Sequence, residues 1–211
     1  MGFPNNGLKP AIEHLNKSRQ TTAGTPVGVS ISGTTSEEIA HCHCLLEPLV
    51  DLVEINISSP NTTGLRIFHK PNQLSEMIGR INETRQKPLV IKLPPYPSMA
   101  VKKSILEESR EQMQNLIRVC MRHGVDAVTA GNSRPASDSR LSTGKGGLSG
   151  EIVYDDMLKL VADIKAEAGN RLTINACGGI FSGKAVLETL KAGATTVQLY
   201  TSLVYRGPGV V

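Results

Sequence analysis

Short runs rich in β-branched residues alternate along the chain with longer segments whose apolar residues recur every three or four positions. The short runs predict strands over 26–32, 52–58, 89–94, 127–132, 172–177 and 196–201, with helices between them. Thr35 and Glu38 form a capping-box pattern, while Met113, Leu116, Ile117 and Cys120 trace one apolar helical face that ends at Gly124. Ser182 is a predicted N-cap for a helix running to Gly193, residues 152–168 carry apolar positions at helical spacing, and a helix over about 8–19 leads the series. This rhythm gives six strand–helix units, the pattern of a parallel sheet.

The polar positions on these strands are more informative. Val53, Ile55 and Ile57 suit contact with outer helices, which leaves Asn56 to point into the centre of a barrel. Polar or reactive residues then stand at successive strand ends: Asn56 and Ser59, Lys92, Asn132 and Ser133, Gly178-Gly179, Tyr200-Thr201. In a closed barrel these ends share one rim, where such folds build their sites. An open doubly wound sheet is the rival architecture and would gather fewer of them. The expected fold is α/β, an incomplete (β/α)8 barrel forming a single domain over 1–211, because 211 residues fall short of the roughly 250 of a complete barrel.

Composition changes this picture little. Hydrophobic residues are 39% and charged residues 20%, as in ordinary globular proteins. The net charge of +4 is spread along the chain, which argues against a nucleic-acid tract and supports a mild attraction for anions. No stretch reads as a membrane span or a targeting segment. Cys42, Cys44, Cys120 and Cys177 contain no CxxC pair and are expected to be reduced thiols. His41-Cys42-His43-Cys44 tempts a metal reading, but consecutive helical residues diverge, so no metal site is expected.

Gly178-Gly179 precedes a helix and is followed one unit later by Tyr200-Thr201, which suits a phosphate held by backbone N–H groups. Gly146-Gly-Leu-Ser-Gly150 also opens a helix, after a long Ser- and Gly-rich loop from Arg134 whose length suggests function. Lys92 ends an apolar strand, where burial would demand an anionic partner such as the edge of a flavin ring; snorkelling to the rim is the plain alternative. Asn56, Asn61 and Asn132 offer the donors and acceptors that a planar, amide-rich ligand requires, although Asn is also common in turns.

The run Asn56-Ile-Ser-Ser-Pro-Asn-Thr-Thr-Gly-Leu-Arg66 resembles the signature of the dihydroorotate dehydrogenases, flavoenzymes of pyrimidine biosynthesis. Further matching motifs follow in family order: Gly2-Phe3 and Asn6-Gly7, Val90-Ile-Lys-Leu-Pro94, Asn132-Ser133, Gly146-Gly-Leu-Ser-Gly150, Gly178-Gly179, Val197-Gln-Leu-Tyr-Thr201 and Gly207-Pro208. The family's base position holds Cys in the soluble class and Ser in the quinone-dependent, membrane-associated class, so the resemblance places this chain in the latter. It implies oxidation of (S)-dihydroorotate to orotate with a quinone acceptor, at a bacterial or mitochondrial inner membrane. Ser59 would take the proton from C5 as the hydride at C6 passes to N5 of FMN. Phe3, Asn56, Asn61, Asn132 and Ser133 would hold the substrate. Ser30, Asn56, Lys92, Gly131, Ser149, Gly150, Gly178, Gly179, Leu199, Tyr200 and Thr201 would hold FMN.

This sequence departs from the family pattern at several positions. Ser30 stands where members usually have Asn, and Gly131 where they have Thr, so two side-chain contacts to FMN are expected to be lost. Ala176-Cys177 replaces a small residue and Val, a change expected to alter packing only. The family also places an Asn two residues before the position of Met1. Further upstream lie a substrate-binding Lys, the first barrel strands, other flavin contacts and a helical quinone-entry segment, and a last helix is expected after Gly209. The alternative implied by these differences is an inactive fragment or pseudoenzyme that keeps a flavin- or phosphate-binding scaffold.

Overall fold

A computed structural model describes residues 5–18, 24–59, 64–97 and 101–211. Six strands form one wholly parallel sheet in the order β1-β2-β3-β4-β7-β8. They are β1 (Gly28–Ile31), β2 (Leu52–Asn56), β3 (Leu89–Lys92), β4 (Ala127–Ala130), β7 (Thr173–Cys177) and β8 (Thr196–Gln198). The helices are α1 (Leu8–Ser18), α2 (Ser36–Leu46), α3 (Pro71–Asn82), α4 (Lys103–Arg122), α5 (Tyr154–Ala168), α6 (Gly183–Lys191) and α7 (Thr201–Arg206). This is an incomplete (β/α)8 barrel: each parallel crossover carries a helix, and the six strands run in sequence order around the sheet.

The predicted strands are all present, five of them shorter at their C-terminal ends, while β7 ends at Cys177 as expected. The residues there turn out of the ladder to form the rim loops, and Thr201 starts α7 instead of ending β8. The loop from Arg134 holds a difference of kind. It contains an antiparallel hairpin of β5 (Arg134–Ser137) and β6 (Lys145–Leu148), so Gly146–Leu148 is strand, and the expected helix opens directly after Gly150 with a 3-10 turn, Glu151–Val153, that leads into α5. That loop's backbone groups are satisfied by the ladder. Polar alternation over four residues with two glycines and a proline gives a weak strand signal, which is why the pairing was not legible.

The predicted caps are made. Thr35 accepts from Glu38 N at 3.1 Å and Ser182 accepts from Ala185 N at 3.2 Å. The Glu38 carboxylate returns to Thr34 N, one residue before the cap, in place of the usual reciprocal bond to Thr35 N. On α4, Met113, Leu116, Ile117 and Cys120 are all buried, as their spacing predicts.

Alternation sorts the sheet's two faces. Val53, Ile55, Ile57, Leu89, Ile91, Val128, Ala130, Ile174 and Ala176 join the buried core between sheet and helices. Parallel register then aligns a polar row on the opposite, inner face: Asn56 beside Lys92, Lys92 beside Thr129, Thr129 beside Asn175 and Asn175 beside Thr196. Parallel strands are normally apolar on both faces. A continuous polar row on the inner face therefore marks the side that meets a ligand. Among the described residues no helix is long and apolar enough to cross a membrane.

Candidate active site at the strand ends

Two cavities open at the C-terminal ends of the strands. The first, about 320 Å³, is lined by Lys92, Asn132, Ser133, Ser149, Gly150, Cys177, Gly178, Gly179, Gln198, Tyr200 and Thr201, among others. The second, about 640 Å³, is lined by Ser58, Ser59, Arg66, His69, Pro94–Pro97, α4 residues including Ile105 and Met113, and Arg134. A polar bridge separates them. Asn132 Nδ2 donates to Ser58 Oγ at 2.7 Å, and both the Oγ and the N–H of Ser58 donate to Asn56 Oδ1, at 2.8 and 3.0 Å. Asn56 and Ser58 are buried, so these bonds satisfy groups that would be costly to leave alone.

Ser59 is 8% exposed and stands on the second cavity, one residue beyond the bridge. The bridge fixes the backbone that presents it: β2 ends at Asn56, whose own side chain folds forward to hold the amide of Ser58. The second cavity is held firmly on its far side. Tyr96 is 2% exposed and its hydroxyl donates to Asp163 Oδ2 on α5, where Arg110 of α4 also pairs through both its Nε and Nη2. Burial first, and then Asp163, push the Tyr96 hydroxyl well above the ordinary phenol range. Desolvation acts against the charged form of Asp163, but the hydrogen bonds from Arg110 and Lys159 win, and its carboxyl is held below the usual range.

The first cavity contains the groups suited to a phosphorylated, ring-bearing ligand. The Lys92 ammonium has Cys177 Sγ at 3.7 Å as its hydrogen-bond partner, and no carboxylate pairs with it among the described residues. Its charge is thus available to an anion. Gly179 has φ +71°, and a Cβ there would come within 2.7 Å of the Tyr154 backbone N, so only glycine lets this turn lie against the start of α5. On the opposite wall Thr201 Oγ1 donates to Ser149 Oγ at 3.2 Å. A cavity of this size falls at the lower end of the roughly 300–1,000 Å³ of cofactor sites. Glycine backbone, two hydroxyls and one lysine without a carboxylate partner among the described residues are a donor set that fits FMN.

Most of the expected site residues meet here. Lys92, Asn132, Ser133, Ser149, Gly150, Gly178, Gly179, Tyr200 and Thr201 share the first cavity. Others do not line it. Ser59 lies on the second cavity, and Asn56 is buried in the bridge. Leu199 alternates to the outer face and packs against the core. Ser30 is occupied with Glu54, donating to its Oε1 at 2.9 Å, while Thr129 donates to Oε2 at 2.6 Å. Gly131 has φ +101° and lies so close to Cys177 that a Cβ on this backbone would collide with the Cys177 carbonyl, and it does not line the first cavity. Phe3 and Asn61 lie outside the described residues. Cys177 corrects one expectation: its thiol faces Lys92 and lines the cavity, so its role is not packing alone.

Some site residues escaped the sequence reading. Glu54 is 9% exposed on the inner face, and its place in the alternation with Asn56 was a usable signal. His69 and Tyr96 gave none, because only the fold brings them to Ser59's cavity, while Arg66 was visible only as the end of the signature run. His41-Cys42-His43-Cys44 diverges as helix geometry demands, with His43 buried while His41 and Cys44 are exposed. No group of three or more His, Cys, Asp or Glu is arranged for a metal among the described residues.

The sequence profile described as dihydroorotate dehydrogenase matches residues 1–211. The chain belongs to the dihydroorotate dehydrogenase family. Two similar relatives carry the name dihydroorotate dehydrogenase (quinone). The one from Bordetella pertussis is 32% identical over 231 residues, and the one from Coxiella burnetii is 33% identical over 232. All of this chain is covered in both alignments, but only 63% and 62% of those relatives. In fold it is similar to a dihydroorotate dehydrogenase from Eimeria tenella solved in complex with ferulenol, with a TM-score of 0.83 and 24% identity over 99% of this chain and 62% of that one. A ligand-free structure of the Eimeria tenella protein gives the same TM-score.

Proposed function

We propose that this chain carries out the FMN-dependent oxidation of (S)-dihydroorotate to orotate, a step of pyrimidine biosynthesis, with a quinone as final acceptor. Membership of the family and the quinone-class names of its relatives support the reaction class. The single observation that carries the reading is the Asn132–Ser58–Asn56 bridge, which stands beside Ser59 and between a proton-accepting side and a cofactor-sized cavity.

FMN, when bound, supplies the two-electron acceptor for the hydride from the substrate's C6. The chain supplies orientation and proton transfer. Ser59 Oγ takes the C5 proton, and its burial excludes the bulk water that would compete for it. Asn132 and Ser133 hold the substrate's carboxylate and ring amides, with Asn56 shared between substrate and flavin. Phe3 and Asn61 complete the substrate pocket in this reading. Lys92 would bind the flavin near its ring. Ser149, Gly150, the Gly178-Gly179 turn, Tyr200 and Thr201 would line the flavin, the last four mainly around its phosphate, and the family pattern adds Ser30, Gly131 and Leu199, which do not line the first cavity. Peripheral contact with the membrane that holds the quinone follows from the acceptor's class.

The test is purification of the chain with added FMN, followed by anaerobic mixing with dihydroorotate. The reading expects a yellow protein whose flavin absorbance bleaches as orotate forms. A chain that binds FMN without bleaching would instead be a flavin-binding scaffold without turnover.

A further inference from the structure

Serine is a weak base, so a proton taken by Ser59 must be passed onward. His69 stands where it can receive it. The residue sits in a short 3-10 helix, Leu65–His69, and lines the same 640 Å³ cavity as Ser59. It also borders a separate outer groove with Lys70, Glu108, Glu111 and Gln112. His69 therefore lies between the interior cavity and the surface.

Its tautomer follows from its partner. His69 Nε2 is 2.9 Å from the Ile57 carbonyl oxygen, which can only accept, so Nε2 carries the hydrogen. Nδ1 is left as the ring's basic atom. Ile57 is two residues before Ser59, so the same bond ties the ring to the segment that presents the base. We propose that His69 Nδ1 is the proton acceptor for Ser59, through water in the shared cavity, and releases that proton to the outer groove. This rests on the proposed dehydrogenase reaction.

The balance is as follows. The C5–H bond breaks and its proton goes to Ser59 Oγ, while the Ser59 hydroxyl proton passes through water to His69 Nδ1. The C6 hydride leaves with its electron pair to the flavin. The protonated ring then loses the proton from Nδ1 to water in the groove. The charged and titratable groups around the ring are Arg66 and Lys70 on its own segment, Glu108 and Glu111 on α4, and Tyr96 and Arg134 across the cavity. Arg134 is paired with Asp156 at 2.7 Å, whereas Arg66 has no ion pair among the described residues. Burial is the main force holding the His69 pKa below its usual 6.5, and Arg66 adds to it against the opposing bond to Ile57. The ring is thus neutral and able to accept at neutral pH.

His69→Gln is the informative variant, because its amide N–H can keep the bond to the Ile57 carbonyl while the base is lost. With the FMN-loaded chain, flavin bleaching by dihydroorotate in the wild type should slow as pH falls below 6.5, where His69 takes up a proton. His69→Gln should remove that acid limb and slow bleaching about 100-fold, the lower end of what a positioned base contributes. Imidazole should partly rescue His69→Ala. A His69→Gln protein with wild-type rate and wild-type pH profile overturns the proposal. A second readout needs no turnover: by ¹⁵N NMR, Ser59→Ala should shift the Nδ1 resonance and the titration midpoint of His69. An unchanged His69 titration also overturns the proposal. If the wild type binds FMN but is never bleached, the dehydrogenase reading fails, and the NMR coupling still decides the role of His69.

Discussion

The two cavities beside the Asn132–Ser58 hydrogen bond are built from opposite materials. One is walled by glycine turns, Lys92 and hydroxyls, with Tyr200 72% exposed at its mouth. The other is walled by prolines, a sealed tyrosine and the apolar face of α4, with Ser59 and His69 set into it. The first offers N–H donors and positive charge, as an anionic cofactor requires. The second brings a buried hydroxyl and an imidazole to one space. In the proposed reaction the difference divides the work of the site: cofactor binding falls to the β3, β7 and β8 side, and proton handling to the β2, β3 and α4 side. The Asn–Ser–Asn bridge keeps the two in register.

This division can be broken from either side. In the proposed reaction Ser59→Ala removes the base, and Ser59 does not line the first cavity. It should slow flavin reduction by about 100- to 10,000-fold with FMN affinity unchanged, measured by anaerobic stopped-flow and by flavin fluorescence titration. Lys92→Met does the reverse. Loss of one charge-assisted contact, about 1.5–3 kcal/mol, should weaken FMN binding about 10- to 150-fold in the same titration. Equal loss of affinity in both variants would mean that the two cavities are a single site.

A smaller effect sharpens the boundary of the cofactor side. Cys177 lines the first cavity and Cys44 is exposed on α2, so FMN should slow alkylation of Cys177 about tenfold or more and leave Cys44 unchanged, read by peptide mass spectrometry. Cys120 is a natural internal control. It is 0% exposed, and burial pushes its thiol up to about 12, so it should not react until the chain unfolds.

The smallest expected effect concerns pH and stability. His43 is sealed in α2, and its Nε2 is 3.8 Å from Glu47 Oε1, beyond hydrogen-bond reach. Burial lowers its pKa despite that carboxylate, and His69 is lowered as well. In both cases the unfolded chain binds the proton more readily than the folded one. Their contribution is therefore fully present above the unfolded value of 6.5 and is lost as pH falls through the lower folded values. Urea midpoints should decline from pH 8 to pH 5, and His43→Leu should flatten that decline. Asp163, held below its usual 3.8, acts in a separate and more acidic window.

The sequence showed the cofactor side more clearly than the proton side, for a physical reason. Lys92, Gly178-Gly179 and Thr201 stand at strand ends, and period-2 alternation followed by a glycine or a helix start is a local signal. The same alternation marked Asn56 and the six parallel strands. His69, at the end of a short 3-10 helix, and Tyr96, in the loop after β3, share a cavity with Ser59 only through the fold, and no periodicity reports where such segments come to rest. The hairpin of β5 and β6 was hidden because its residues have poor strand propensity. Ser30 shows the limit of reading a residue alone: its hydroxyl is taken by Glu54, a partner visible only once β1 and β2 lie side by side.

The most direct measurement is anaerobic titration of the FMN-loaded chain with dihydroorotate, following the visible flavin absorbance and the orotate formed. The account predicts complete bleaching with one orotate produced per flavin. A chain fully loaded with FMN that keeps its absorbance at saturating dihydroorotate would contradict it.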